Sequence, residues 1–156
     1  MRKLSILALT IVLAFMVSGC AMTGSKVETK TCTMGEVNGI DQTFVFSATN
    51  NEVDKMELKM VFNNSLFGVD TLSTLNDTQK ETIKSTMLKN LGLDSDTYEG
   101  LEIIVDIDDQ MTVEVKADIT KADPEVLKKI GMDLTGVDKS FDRAISDMEE
   151  AGATCK

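Results

Sequence analysis

Across residues 53–62 apolar and charged side chains alternate: Met56, Leu58, Met60 and Phe62 share one parity, and Lys55, Glu57 and Lys59 the other. Successive side chains of an extended chain point to opposite sides, so this pattern demands a strand with one buried face and one wet face. Residues 43–48, carrying Phe44 and Phe46, read as the strand before it. A three-residue loop over residues 50–52 sets Phe46 beside Met56 and Phe44 beside Leu58, whereas a two-residue loop turns them to opposite faces. A first strand over residues 29–34 joins through Asn38-Gly39, a pair suited to the positive φ angles of a tight hairpin. The same parity count puts Cys32 opposite Val45, off the phenylalanine face, unless Gly35 marks a bulge. The residues leave that point open.

Two later strands alternate in the same way, with Leu101, Ile103, Val105 and Ile107 followed by Met111, Val113, Val115 and Ala117. Their apolar faces match across a turn at residues 108–110, which pairs Ile107 with Met111 and Val105 with Val113. A helix over residues 78–91 is opened by Thr78 and Glu81 as a capping pair and stopped by Gly92, with Ile83, Met87, Leu88 and Leu91 as its apolar stripe. A second, over residues 123–130, has Asp123 as N-cap and Pro124 at the first helical position. A third, over residues 139–151, buries Phe141, Ala144, Ile145 and Met148. The order β-β-β-α-β-β-α-α predicts an α+β domain, an antiparallel sheet of about five strands with helices packed on one face.

The N-terminus has a different character. Arg2 and Lys3 precede an apolar run, residues 4–17, broken only by Ser5 and Thr10. The run suits the h-region of an export signal and is shorter than the roughly 20 residues that span a bilayer. It ends in Val17-Ser18-Gly19-Cys20, the pattern of a lipobox, in which the Cys20 thiol accepts diacylglycerol before cleavage. The plainer alternatives are an ordinary secretory signal with a chance cysteine, or an uncleaved anchor. The lipobox reading divides the chain into a signal peptide (1–19), a lipidated cysteine with its tether (20–28) and one α+β domain (29–156). It places the domain on the extracytoplasmic face of a cell membrane, held to membrane lipid through Cys20, since two or more acyl chains give stable anchoring.

Loss of Arg2 and Lys3 with the signal takes the formal charge from −10 to −12. Such a surface repels nucleic acid and anionic head groups, so neither is an expected partner. The chain has no His, which removes the commonest general base, the Ser-His-Asp and Cys-His systems and most zinc sites. No phosphate-binding glycine motif occurs. A glycosidase-like carboxylate pair would have to come from 26 acids in a chain with no Trp. No cofactor and no catalytic residue are expected, and the chain is read as a non-enzyme.

Cys32 and Cys155 lie near opposite ends of the domain, and outside the cell a disulfide between them can persist; two separately buried thiols are the alternative. Neither belongs to a C-x-x-C motif, so a bridge would be a staple and not a redox centre. Residues 94–105 start like a calcium loop but lack its Gly and closing Glu. Asp106, Asp108 and Asp109, at a hairpin tip, are the remaining metal candidates, with solvated turn aspartates as the bland reading. Of the ten methionines, Met34, Met56, Met60, Met87, Met111, Met132 and Met148 fall in the domain, mostly at strand or helix core positions, although a methionine-rich surface can take soft copper or adapt to varied ligands. Phe62, Leu66, Phe67 and Val69 run into an irregular segment without periodicity. Burial beneath the following helix is the plainer expectation for them, and a pocket or docking loop the functional one.

Thr31-Cys32-Thr33 ahead of an Asn-Gly hairpin, the Phe-rich second strand, the lipobox and the stretch Lys121-Ala122-Asp123-Pro124-Glu125-Val126-Leu127-Lys128-Lys129-Ile130 together resemble the YehR-like family of small bacterial lipoproteins, a domain of unknown function. The resemblance runs over most of the domain. It implies an α+β lipoprotein with Cys20 as the lipid site and brings no catalytic residues. Three functions are therefore carried forward: a module that binds an envelope ligand or protein, a structural or regulatory envelope protein without a small ligand, and a carboxylate-dependent hydrolase.

Overall fold

The computed structural model describes residues 25–132 and 138–156; the expected signal peptide and the expected lipid site, Cys20, lie outside the described residues. Seven strands form one antiparallel sheet: β1 (Val27–Val37), β2 (Ile40–Thr49), β3 (Glu52–Phe62), β4 (Thr97–Tyr98), β5 (Leu101–Ile107), β6 (Met111–Asp118) and β7 (Thr154–Cys155). Their order across the sheet is β4-β5-β6-β3-β2-β1-β7. Helices α1 (Asp77–Asn90), α2 (Pro124–Lys129) and α3 (Phe141–Glu150) pack on one face, and a short 3-10 helix, Asn64–Phe67, follows β3. The class matches the sequence expectation. The two extra strands, β4 and β7, are two residues each, too short for any periodicity to announce them.

Registers decide which side chains meet. Phe46 pairs with Met56 and Phe44 with Leu58, the expected partners, but the loop that sets them is different. Thr49 pairs with Glu52 across a two-residue turn, and Asp54 forms a bulge that restores the parity. The Thr49 hydroxyl donates to the Asp54 carboxylate at 2.7 Å. In the first hairpin the bulge at Gly35 and Glu36 is present, between the Met34–Gln42 and Val37–Ile40 pairs. It moves Cys32 opposite Phe44, onto the phenylalanine face, and corrects the unbulged pairing with Val45. Cys32 also faces Cys155 on its other side, with the sulfurs at bonding distance, 2.02 Å, and the Cα atoms 4.0 Å apart. Thr31 and Lys156 exchange both backbone hydrogen bonds next to them, so the cysteines occupy a non-hydrogen-bonded pair, where opposing chains approach closest.

The covered face holds two apolar clusters. One joins Leu88 of α1 and Leu127 of α2 to Leu101, Ile103, Met111, Val113 and Val115. The other sets Phe141 of α3 on Cys32, Phe46, Ala48 and Val53. Helix α1 starts one residue before the expected position, because its capping box is Asn76 with Gln79 and not Thr78 with Glu81. In α3 the Ser140 side chain makes no cap; instead Asn51, in the β2–β3 turn with φ +65°, accepts from the Phe141 and Asp142 amides. Among the described residues no helix is long and apolar enough to cross a membrane.

Several carboxylates act as local fasteners. The Tyr98 hydroxyl donates to Asp94, and the Lys84 ammonium lies 2.7 Å from Asp96; these contacts hold both acids below the usual carboxylate range. The Thr120 hydroxyl and then Lys121 do the same for Asp118. Depressed carboxylate pKa values add stability above the unfolded-state pKa, and that stability is lost as pH falls through the folded one.

Candidate functional site

The helices do not cover the sheet evenly. Helix α3 lies against β1, β2 and β7, while α1 and α2 close over β5 and β6. Central strand β3 falls between them, so Leu58, Met60 and Phe62 are only half-buried although they carry the clearest apolar alternation in the chain. An apolar cleft of about 300 Å³ opens there. Its floor is Leu58, Met60 and Phe62 of β3 with Met111, Val113 and Val115 of β6 and Ile103 of β5; its walls are Met87 of α1, Leu91 just after α1, and Ile130 and Met132 after α2. Among the described residues no polar or charged side chain lines it.

Beyond Met87 and Met111 the opening continues along α1 past Ile83, where Thr82, Thr86 and Asn90 form a ridge. These three are spaced i, i+4, i+8, so one helix face presents uncharged hydrogen-bonding groups beside the apolar floor. Four methionines line the cleft, Met60, Met87, Met111 and Met132. Unbranched thioether side chains repack at little cost, so such walls adapt to ligands of different outline. The volume sits at the lower end of the range of small-molecule sites, about 300–1,000 Å³. Core positions in the sequence imply a closed core for these methionines; the uneven lateral placement of the helices leaves Met60, Met87 and Met132 half-buried, while Met111 is buried.

The loop residues singled out in the sequence are brought to one end of the sheet. Phe62 lines the cleft, and the Phe67 ring lies against it with centroids 6.5 Å apart. Leu66, Phe67 and Val69 are exposed, at 48, 41 and 43 % of their surface. Burial beneath α1 is thereby corrected: the loop closes on its own 3-10 turn, capped by Asn63, and is tied down by Asn64, whose amide donates to the Asp70 and Asp109 carbonyls. Those bonds hold the segment beside the β5–β6 turn and away from the helix.

Asp106, Asp108 and Asp109 are exposed. Asp106 pairs with Thr112 on the wet face, and Asp108 and Asp109 sit in the turn. Among the described residues no group of three acidic, Cys or His side chains converges on a metal position. The described residues of the cleft lining include no carboxylate.

No protein-family model matches the chain, and no curated protein matches it in sequence. Two solved structures share its architecture. The NMR structure of the E. coli YehR protein superposes with a TM-score of 0.61 at 17% identity, covering 85% of this chain and 92% of that one. The NMR structure of a protein from Streptococcus pneumoniae TIGR4 gives 0.57 at 15% identity, covering 100% and 97%. Identities this low speak for the fold alone, and the fold of this chain is YehR-like.

Proposed function

We propose that this chain is a lipid-anchored binding module on the extracytoplasmic face of a cell membrane, which receives the apolar part of a ligand in the cleft above β3. The observation that carries the reading is the cleft itself, an apolar space among the described residues, floored by the strand that the sequence marks most strongly for burial. Its described lining is made of apolar side chains, which suit a hydrocarbon or aromatic part of the ligand. Any polar part rests outside, on the Thr82, Thr86 and Asn90 ridge. The lipobox at Val17-Ser18-Gly19-Cys20 supports the address.

The test is a thermal-shift and fluorescence titration of residues 25–156 with fatty acids, long-chain alcohols and an anilinonaphthalene dye. A cleft ligand at about 100 times its dissociation constant adds about 2.7 kcal/mol, several degrees in a domain of this size. Met87→Glu puts a charge on the cleft wall and lowers that affinity by about tenfold or more, because a buried unpaired carboxylate costs at least that much. A flat titration, or unchanged affinity in the variant, would move the chain to the structural class without a small ligand.

The anchor has its own test. Cys20→Ala leaves the precursor uncleaved by the lipoprotein peptidase and without incorporated palmitate. Normal processing and labelling of that variant would remove the anchor from the reading.

A further inference from the structure

Three stretches of the chain contain no Lys or Arg: residues 31–54, 60–79 and 90–115. The fold gathers parts of all three at one end of the sheet. The Asn63 amide donates to Gly39 O at 2.8 Å, Phe62 pairs with both Ile40 and Met111, and Asn64 and Leu72 both donate to Asp109 O. This tip carries the exposed apolar side chains Val37, Leu66, Phe67 and Val69. Leu66 sits over the hairpin turn, where a Cβ on Gly39 would meet its side chain at 3.0 Å. Around them stand Glu36, Asp41, Asp70, Asp106, Asp108 and Asp109, all exposed and with no basic side chain in the same segments.

We infer that this tip is a docking surface for a cationic amphipathic segment of a partner protein, with apolar side chains seated on Leu66, Phe67 and Val69 and Lys or Arg reaching the acidic rim. A contiguous apolar patch rimmed by polar groups marks an interaction site, and the single sign of the rim selects the sign of the partner. The charge argues against two other occupants. A second copy of this chain would bring the same acids into contact, and a membrane with anionic lipids would repel them. Lys26, beside the Asn50 turn, and Lys139, bonded to Val53, lie at the other end, and Lys59, the basic residue of β3 nearer the tip, faces Glu114 at 3.6 Å. The 11 residues of β1 hold the two ends roughly 35 Å apart at about 3.3 Å per residue. The inference uses a different surface from the cleft and stands whether or not the cleft binds a ligand.

The experiment uses the full chain in phosphatidylcholine nanodiscs, with empty discs as reference, titrated by calorimetry with a synthetic amphipathic helix of Lys and Leu. Saturable binding is expected, weakening by about tenfold between roughly 50 and 300 mM salt as rim charges are screened. A Glu and Leu helix of the same length shows none. Asp70→Asn with Asp108→Asn and Asp109→Asn lowers affinity about tenfold and preserves the circular dichroism, since these side chains face solvent. Leu66→Ser with Phe67→Ser removes binding, while Met87→Glu leaves it intact. Equal binding of the acidic helix, retention in the tip variants, or no binding of the basic helix overturns the inference. So does dimerisation of the native chain that Leu66→Ser abolishes.

Discussion

Cys155→Ser lowers the unfolding free energy by about 4–5 kcal/mol, the chain-entropy contribution of closing a loop of this length. The bridge spans 123 residues, nearly the whole described domain, and joins β1 to a two-residue edge strand. Without it β7 is held by the Thr31 and Lys156 hydrogen bonds and by Ala153 against the second cluster. Cys155 is the position to change, because Cys32 is fully buried and a lone thiol is tolerated there as a small hydrophobe. Urea denaturation reads the loss, and the melting temperature falls on the order of 10–20 °C. Native protein treated with reductant reproduces the variant. A variant as stable as the native protein would show that the bridge closes nothing the unfolded chain had left open.

Gly100→Ala is the second large effect. Gly100, in the turn between β4 and β5, has φ +71°, and a Cβ built there lies 2.5 Å from the Ala122 nitrogen and 2.9 Å from Lys121. Its carbonyl accepts from the Asp118 amide at 2.7 Å, so the turn cannot simply back away from the end of β6. The left-handed conformation alone costs roughly 1–2 kcal/mol for a residue with a side chain, and displacing backbone that is hydrogen-bonded on both sides brings the total to about 2–4 kcal/mol. Gly35 is the control: nothing lies within 4 Å of its added Cβ. Gly35→Ala therefore stays within about 0.5 kcal/mol of the native protein. Equal midpoints for the two alanine variants in urea would refute the close approach at Gly100.

Much of this fold is legible in local pattern. The alternation of β3, β5 and β6 gives their faces, and Asp123-Pro124 opens α2 where the sequence places it. The registers were harder. Phe46 meets Met56 because a short turn and the Asp54 bulge offset each other, and Cys32 joins the phenylalanine face only through the bulge at Gly35. A bulge changes parity without any obligatory residue type, so counting residues between strands cannot detect it. The loop after β3 misled for another reason: apolar residues without periodicity carry no direction, and the Asn64 clamp that turns Leu66 and Phe67 outward is a contact 45 residues away.

The candidate site divides along the same line. Sequence alone determined that Leu58, Met60 and Phe62 share one face of their strand and Met111 and Val113 one face of theirs, that α1 carries an apolar stripe, and that three long stretches lack a basic residue. Only the tertiary structure decided that the helices cover the two sides of the sheet and not its middle, so that the shared face becomes a cleft. It alone set Cys32 against Cys155 and gathered the acidic stretches at one tip. The reason is one of range. Side-chain periodicity is fixed by backbone geometry within a few residues, whereas strand order, helix placement and the meeting of loops are fixed by packing between segments far apart in the chain.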